Sequence, residues 1–265
     1  MARREDGVKR QMMTFTCEGA TLVGTLDQAA GTTGLLIVSG GNEVRHGAHR
    51  GMAMLAARLA AQGTPVFRYD RRGVGDSDGE NSGFAYAGDD LRAAADSFRR
   101  AAPQVTRLYG FGNCDAASLL ALEGRNAGIA RVLLANPWTI EQDDDLPPAA
   151  AIRAGYTQQL LDLAEWRRLL RGGIDMGKAI KGLWKIARTR SQPNTLATKV
   201  TSAIAEWGDA VTVLLARDDN TARAFADAAR AHTFHTLALD TSSHSFARAA
   251  DKKALAEIVT RWLSA

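Results

Sequence analysis

Cysteine and proline are scarce in this chain, with two of the first and six of the second in 265 residues. Two cysteines cannot build a disulfide framework, which excludes a stapled secreted scaffold and leaves a reducing compartment as the expectation. Aromatic residues make up only 6%, and 25 glycines beside six prolines exclude a low-complexity or fibrous chain. No run reaches the roughly 18 uninterrupted apolar residues needed to span a membrane. The start, MARREDGVKRQMM, is charged throughout and lacks the apolar stretch of a signal peptide. The expectation is a soluble, cytoplasmic protein.

What is present is a globular composition. Apolar residues reach 46% and charged residues 23%, too apolar for a disordered chain. The length allows one large domain, or one core with an insertion. The net charge is +4, but it is unevenly placed. Residues 151–200 hold ten Lys or Arg against three acids (Asp162, Glu165, Asp175), a local +7 that leaves −3 for the remainder.

Short β-branched runs alternate with helical patterns. Met13–Cys17 and Thr21–Asp27 read as a hairpin, and Leu35–Ser39 as a buried strand before a glycine-rich loop. A helix is expected over His49–Gln62, ended by Gly63. Val66–Asp70 is the next strand, with a loop over Arg71–Gly83 and a helix over Ala85–Ala101. Val105–Phe111, Val132–Ala135, Val211–Ala216 and Thr236–Leu239 read as strands. Asp115–Arg125, Thr221–Ala231 and Ala249–Leu263 read as helices. This alternation implies an α/β fold, a mostly parallel sheet with helices on both faces. The rhythm breaks between Thr139 and Gly208. There an acidic turn, Glu141–Asp145, precedes a helical stripe of Leu160, Leu161, Leu163, Trp166, Leu169 and Leu170. The expectation is a core of residues 1–138 and 208–265 with a helical lid over 139–207.

The chemistry concentrates at Gly112-Asn113-Cys114-Asp115-Ala116, at a strand-to-helix junction. It matches the nucleophile elbow G-x-S-x-G, with Cys for Ser and Ala for the last Gly. So tight a turn needs small residues two before and two after the nucleophile. In return it holds the nucleophile at a helix N-terminus, where the dipole and free N–H groups favour a thiolate and then an oxyanion. A buried, inert thiol is the alternative for a lone cysteine. Gly110 and Gly112 also begin a G-x-G-x-x-G pattern, but Asp115 stands at its third position and no acid follows about twenty residues on, so dinucleotide binding is not expected.

Partners follow in the order nucleophile, acid, base. Asp218 and Asp219 come directly after Val211–Ala216, and one of them can instead cap the following helix. Asp219, nearer the helix start, is favoured as the acid, with Asp218 open. His244, in Ser242-Ser243-His244-Ser245-Phe246 after the last strand, is the base. His46, His49, His232 and His235 read as loop, cap or surface residues. Gly41, in Ser39-Gly40-Gly41-Asn42, would supply one oxyanion N–H and Asp115 the other. The loop Asp70–Ser77 lacks the G-K-[ST] ending of a phosphate-binding loop. It reads as a structural turn in which Asp70 and Ser77 satisfy the backbone. His46 and His49 have no metal-type ligands nearby, so neither a metal nor a cofactor is expected. Cys17, in the hairpin, reads as structural.

These residues resemble the α/β-hydrolase superfamily over nearly the whole chain. The D-R-R-G-x-G-D-S loop, the elbow and the terminal S-H-S-F fall in order. More narrowly, the sequence resembles the bacterial family called exosortase A system-associated hydrolase 1. Tyr69–Gly73, Cys114–Ser118, Leu134–Trp138 and the stretch Tyr156 to Leu170 carry that likeness. The resemblance implies a cytoplasmic hydrolase encoded with exopolysaccharide and protein-sorting genes. Two departures stand out: Ala216 where many hydrolases have Gly, and Asn42 after the glycine pair.

The expected activity is hydrolysis of an acyl ester or thioester through Cys114, His244 and Asp219. An acyltransferase using the same acyl-enzyme and a non-catalytic binding relative are the alternatives. A dehalogenase of this fold would need Asp at position 114. The basic block reads either as a solvated face or as a surface for an anionic acyl donor, such as an acyl carrier protein or CoA thioester. A peripheral membrane contact is a third reading. No nucleic-acid partner is expected.

Overall fold

The computed structural model describes residues 9–141 and 195–265. The chain opens with β1 (Arg10–Cys17) and β2 (Ala20–Asp27), an antiparallel hairpin. Glu18 and Gly19 close it with positive φ at both positions, 46° and 82°, the backbone that matches the right-handed strand twist. β3 (Thr33–Val38), α1 (Gly51–Ala61) and β4 (Val66–Tyr69) follow, then α2 (Gly88–Ala101), β5 (Arg107–Asn113), α3 (Asp115–Glu123) and β6 (Arg131–Ala135). After the residues not described come α4 (Thr195–Glu206), β7 (Val211–Ala216), α5 (Asn220–Ala228), β8 (Thr236–Leu239) and α6 (Ala249–Ser264).

The eight strands form one sheet in the order β1-β2-β4-β3-β5-β6-β7-β8. β2 meets β4 antiparallel, and every pair from β4 to β8 is parallel. The central strands are apolar at successive positions because both faces are covered. Leu36, Val132, Leu134 and Val213 face a core shared with α2, α3 and α4. Leu35, Ile37, Leu133 and Leu214 face a second core made with α1 and α6.

Several boundaries differ from the sequence reading. β5 runs on to Asn113, so the strand delivers the chain straight into the elbow. α2 starts at Gly88 because Phe84–Tyr86 forms a separate 3-10 turn. The expected lid over 139–207 includes α4, yet Val200 and Ile204 are fully buried in the core beside α3. Thr195–Glu206, expected within the lid, thus packs with the core through the apolar face of that helix. Residues 142–194, with the leucine stripe and most of the basic block, lie outside the described residues.

The hairpin side of the sheet is tied by buried charge. Arg68 on β4 and Arg10 on β1 both reach Asp27 on β2, at 3.0 and 2.6 Å. Asp70 accepts from the amides of Arg45 (2.5 Å) and Asp76 (3.1 Å) and pairs with the Arg45 guanidinium. Ser77 accepts from Val23 N and donates to Asp70 O. The Asp70–Ser77 loop is the structural turn expected from its residues.

Candidate active site

The elbow forms because β5 and α3 approach too closely for side chains at their junction. A Cβ on Gly112 would lie 2.8 Å from the Ala116 backbone, and one on Gly110 would lie 3.0 Å from Leu120. A Cβ on Gly40 would lie 2.5 Å from Asn113 O and 3.3 Å from Cys114 Cβ, so the neighbouring loop is also pressed against the turn. Cys114 itself sits at φ 63°, ψ −129°, a costly backbone for a residue with a side chain. Its amide bonds to Ala135 O at 2.9 Å and its carbonyl accepts from Trp138 N at 3.2 Å. Ser118 Oγ adds a bond to Trp138 O at 2.7 Å. The turn is held on both sides by β6 and the loop after it.

His244 Nδ1 lies 3.0 Å from Asp219 Oδ2, and Cys114 lies close enough to the ring to act on its charge. The Asp219 bond and then the neighbouring Cys114 raise the imidazole from its ordinary 6.5 to about 10, against the opposing effect of burial. Burial also works against ionisation of Asp219. The hydrogen bond and charge of His244, with the amides of Ala222 and Thr221, still bring that carboxyl below its ordinary 3.8. Asp219 is at the same time the N-cap of α5, its Oδ2 accepting from Ala222 N at 3.0 Å. Asp218 points away and pairs with Arg223 at 2.9 Å. The cap and the histidine partner are one residue, where the sequence offered them as alternatives.

The loop carrying His244 is fixed from below. Phe246 takes a positive φ of 52° and buries its ring in the second core. Thr241 donates to Asp251 at 2.8 Å and accepts from Ser243 N. Two amides absent from the sequence expectation complete the support. Asn113 Nδ2 donates to His244 O at 3.0 Å. Fully buried Asn136 bridges Asn113 Oδ1 and the Ala216 amide. Their only sequence signal is an amide at the end of each of two adjacent apolar strands. Of the other histidines, His235 lies against Thr212 at 3.1 Å and His232 stacks on Phe234.

One of the two expected oxyanion donors is already engaged. The Gly41 N–H faces the elbow, but it is not free: Asp115 Oδ1 accepts from it at 2.7 Å. Asp115 is expected to contribute its backbone N–H, and its carboxylate in addition fills the donor across the loop. Buried Arg71 stands behind, donating to Gly41 O and lying 3.3 Å from Asp115 Oδ2. Half-buried Glu43, on the same loop, is a further carboxyl near the site. Burial raises its pKa, with Asp115 adding and the Ala48 amide and His244 opposing. Neither Arg71 nor Glu43 carries a sequence signal of a site role.

Cys17 is buried and donates to Asp90 at 3.4 Å. Burial and then the Asp90 carboxylate push its thiol up to about 11, the opposite of an activated nucleophile. Among the described residues, no group of three or more His, Cys, Asp or Glu could hold a metal ion, and no helix is long and apolar enough to cross a membrane.

Residues 35–258 match the model described as the alpha/beta hydrolase family. No curated protein matches the chain. Solved structures match it over nearly its whole length. An esterase from Pyrococcus furiosus shares 14% identity at a TM-score of 0.62, covering 99% of this chain and 96% of its own. An α/β serine hydrolase without lid from Xanthomonas campestris shares 18% at 0.61, covering 97% and 96%. A thioesterase domain from the curacin biosynthetic pathway shares 13% at 0.57, covering 95% and 99%.

Proposed function

The chain belongs to the alpha/beta hydrolase family, and on that premise we propose that it hydrolyses an acyl ester or thioester through a Cys114–His244–Asp219 triad. The observation that carries this reading is the His244 ring placed between Asp219 Oδ2 and Cys114. Asp219 fixes the ring with Nδ1–H toward itself, leaving Nε2 for proton transfer at Cys114. Sγ attacks the acyl carbon, and the carbonyl pair moves to oxygen as an oxyanion. Collapse expels the alcohol or thiol, protonated from His244. Water, deprotonated by His244, then cleaves the thioester and frees Cys114. The Asp115 N–H, first in α3 and so without an acceptor inside the helix, and the Gly41 N–H would hold the oxyanion.

A sulfur nucleophile leaves more readily than an alkoxide, which suits esters, lactones and thioesters better than amides. The same acyl-enzyme serves an acyltransferase if an acceptor outcompetes water. The occupied Gly41 N–H favours the non-catalytic reading, and the experiment separates the two. Cys114→Ala is expected to lose about 10³-fold or more of turnover on p-nitrophenyl and thioester substrates. Rapid acid quench of the unaltered protein should leave the acyl group on the Cys114 peptide by mass spectrometry. Full activity in Cys114→Ala sinks the proposal.

The narrower pattern likeness to exosortase A system-associated hydrolase 1 makes exopolysaccharide and protein-sorting metabolism in the bacterial cytoplasm the proposed setting. The basic block of 151–200, within a lid beginning at 139, is the proposed contact for an acyl carrier protein or CoA thioester. Its charge of +7 supports that role.

A further inference from the structure

We propose that Asp115 is a positioning residue that occupies the oxyanion donor of Gly41 at rest and must swing onto Arg71 before Cys114 can acylate. The inference rests on the reading of Cys114 as nucleophile and adds what controls its oxyanion hole. Three observations carry it. The Asp115 carboxylate accepts the Gly41 N–H at 2.7 Å, where a substrate oxygen would have to bind. Arg71, its side chain 5% exposed, shares only one nitrogen with this cluster: Nη2 donates to Gly41 O and lies 3.3 Å from Asp115 Oδ2. The other nitrogen, Nη1, is buried with no hydrogen-bond partner.

An unpaired buried guanidinium N–H is costly to leave unsatisfied. Here it is an unused donor on a fork whose second prong already faces the carboxylate. A small rotation of Asp115 would exchange the Gly41 amide for a two-pronged bond to Arg71, the stronger geometry for a carboxylate. The exchange is required by charge. A carboxylate and a developing oxyanion cannot share one N–H, because like charges about 3 Å apart repel strongly out of water. A neutral carbonyl oxygen is also the weaker acceptor of the two. The hole is therefore complete only after Asp115 has moved, and Arg71 is what receives it.

A simple alkyl aldehyde reads the hole directly. Its carbonyl carbon bonds to Sγ and its oxygen takes the electron pair into the oxyanion position, giving a thiohemiacetal after protonation. Asp115→Ala keeps the backbone N–H and empties the hole, so aldehyde affinity should rise about tenfold, the occupancy cost being removed. Arg71→Met removes the receptor, so single-turnover acylation by p-nitrophenyl acetate should slow about tenfold or more. The double variant should recover the Asp115→Ala rate, because Arg71 matters only while Asp115 has to move. Arg71→Lys, with near-ultraviolet circular dichroism on every form, guards against misfolding of Arg71→Met and should slow acylation less. If the double variant stays as slow as Arg71→Met, Arg71 only braces the Gly41 loop and the proposal is overturned. Unchanged or weaker aldehyde binding by Asp115→Ala overturns it as well. Either result leaves the nucleophile standing if iodoacetamide still labels Cys114 and acyl-enzyme accumulates. Absence of acyl-enzyme in every form overturns both readings.

Discussion

Asp219 serves two partners with one oxygen: Oδ2 caps α5 through Ala222 N and orients His244 through Nδ1, each at 3.0 Å. Its ionisation is thereby linked to folding, and the sign follows from the two shifts. The imidazole is raised from 6.5 to about 10, so its stabilisation is complete below 6.5 and is lost as pH climbs toward 10. The carboxyl is lowered below 3.8, so its contribution is present above that value and is lost in acid. His244→Gln should therefore lower Tm most at about pH 5.5 and progressively less toward about pH 9.5, read by thermal melts at both. An equal loss at both would mean that His244 gains nothing from charge in the folded state. At this scale the sequence named Cys114, His244 and Asp219 from chain order and strand ends. It could not name Asn113, Asn136 or Arg71, because an amide or a buried guanidinium acquires a role only from what lies opposite it in space.

The elements matter through their close approaches. β5 and α3 share a junction where Gly112 meets the Ala116 backbone, and the expected need for small residues at both positions has its cause there. Gly112→Ala would place a methyl 2.8 Å from that backbone, and rigid backbone cannot yield as a flexible side chain would. The variant should lose about 1–3 kcal/mol in chemical denaturation. It should also lose about 10²-fold in kcat, since the proposed nucleophile moves with α3. Wild-type turnover in that variant would mean that the elbow is slack. α4 shows the converse case. By sequence its residues belong with the lid, because no strand separates them from the preceding helical pattern. Only its packing on α3, with Val200 and Ile204 buried, assigns it to the core.

Over the whole molecule, the parallel strands β3 to β8 bring the Gly41 loop, Cys114, Asp219 and His244 to one carboxyl edge of the sheet, from positions more than 200 residues apart. The charge asymmetry belongs to this scale too. With +7 on residues 151–200 and −3 elsewhere, the KM for a CoA thioester should rise steeply with ionic strength while that for p-nitrophenyl butyrate stays level. Steady-state kinetics across a salt series check this, and two flat lines would leave the block a solvated face. The sequence by itself determined the fold class and the chain order of the proposed nucleophile, acid and base, because hydrophobic period and strand-end position are local properties that chain order preserves. The tertiary structure alone decided which aspartate faces His244, where the core resumes, and that a carboxylate already sits on the Gly41 N–H. The first and last of these depend on atoms meeting across 25 and 74 residues of chain, where the register of separate strands, not local pattern, sets who is near whom.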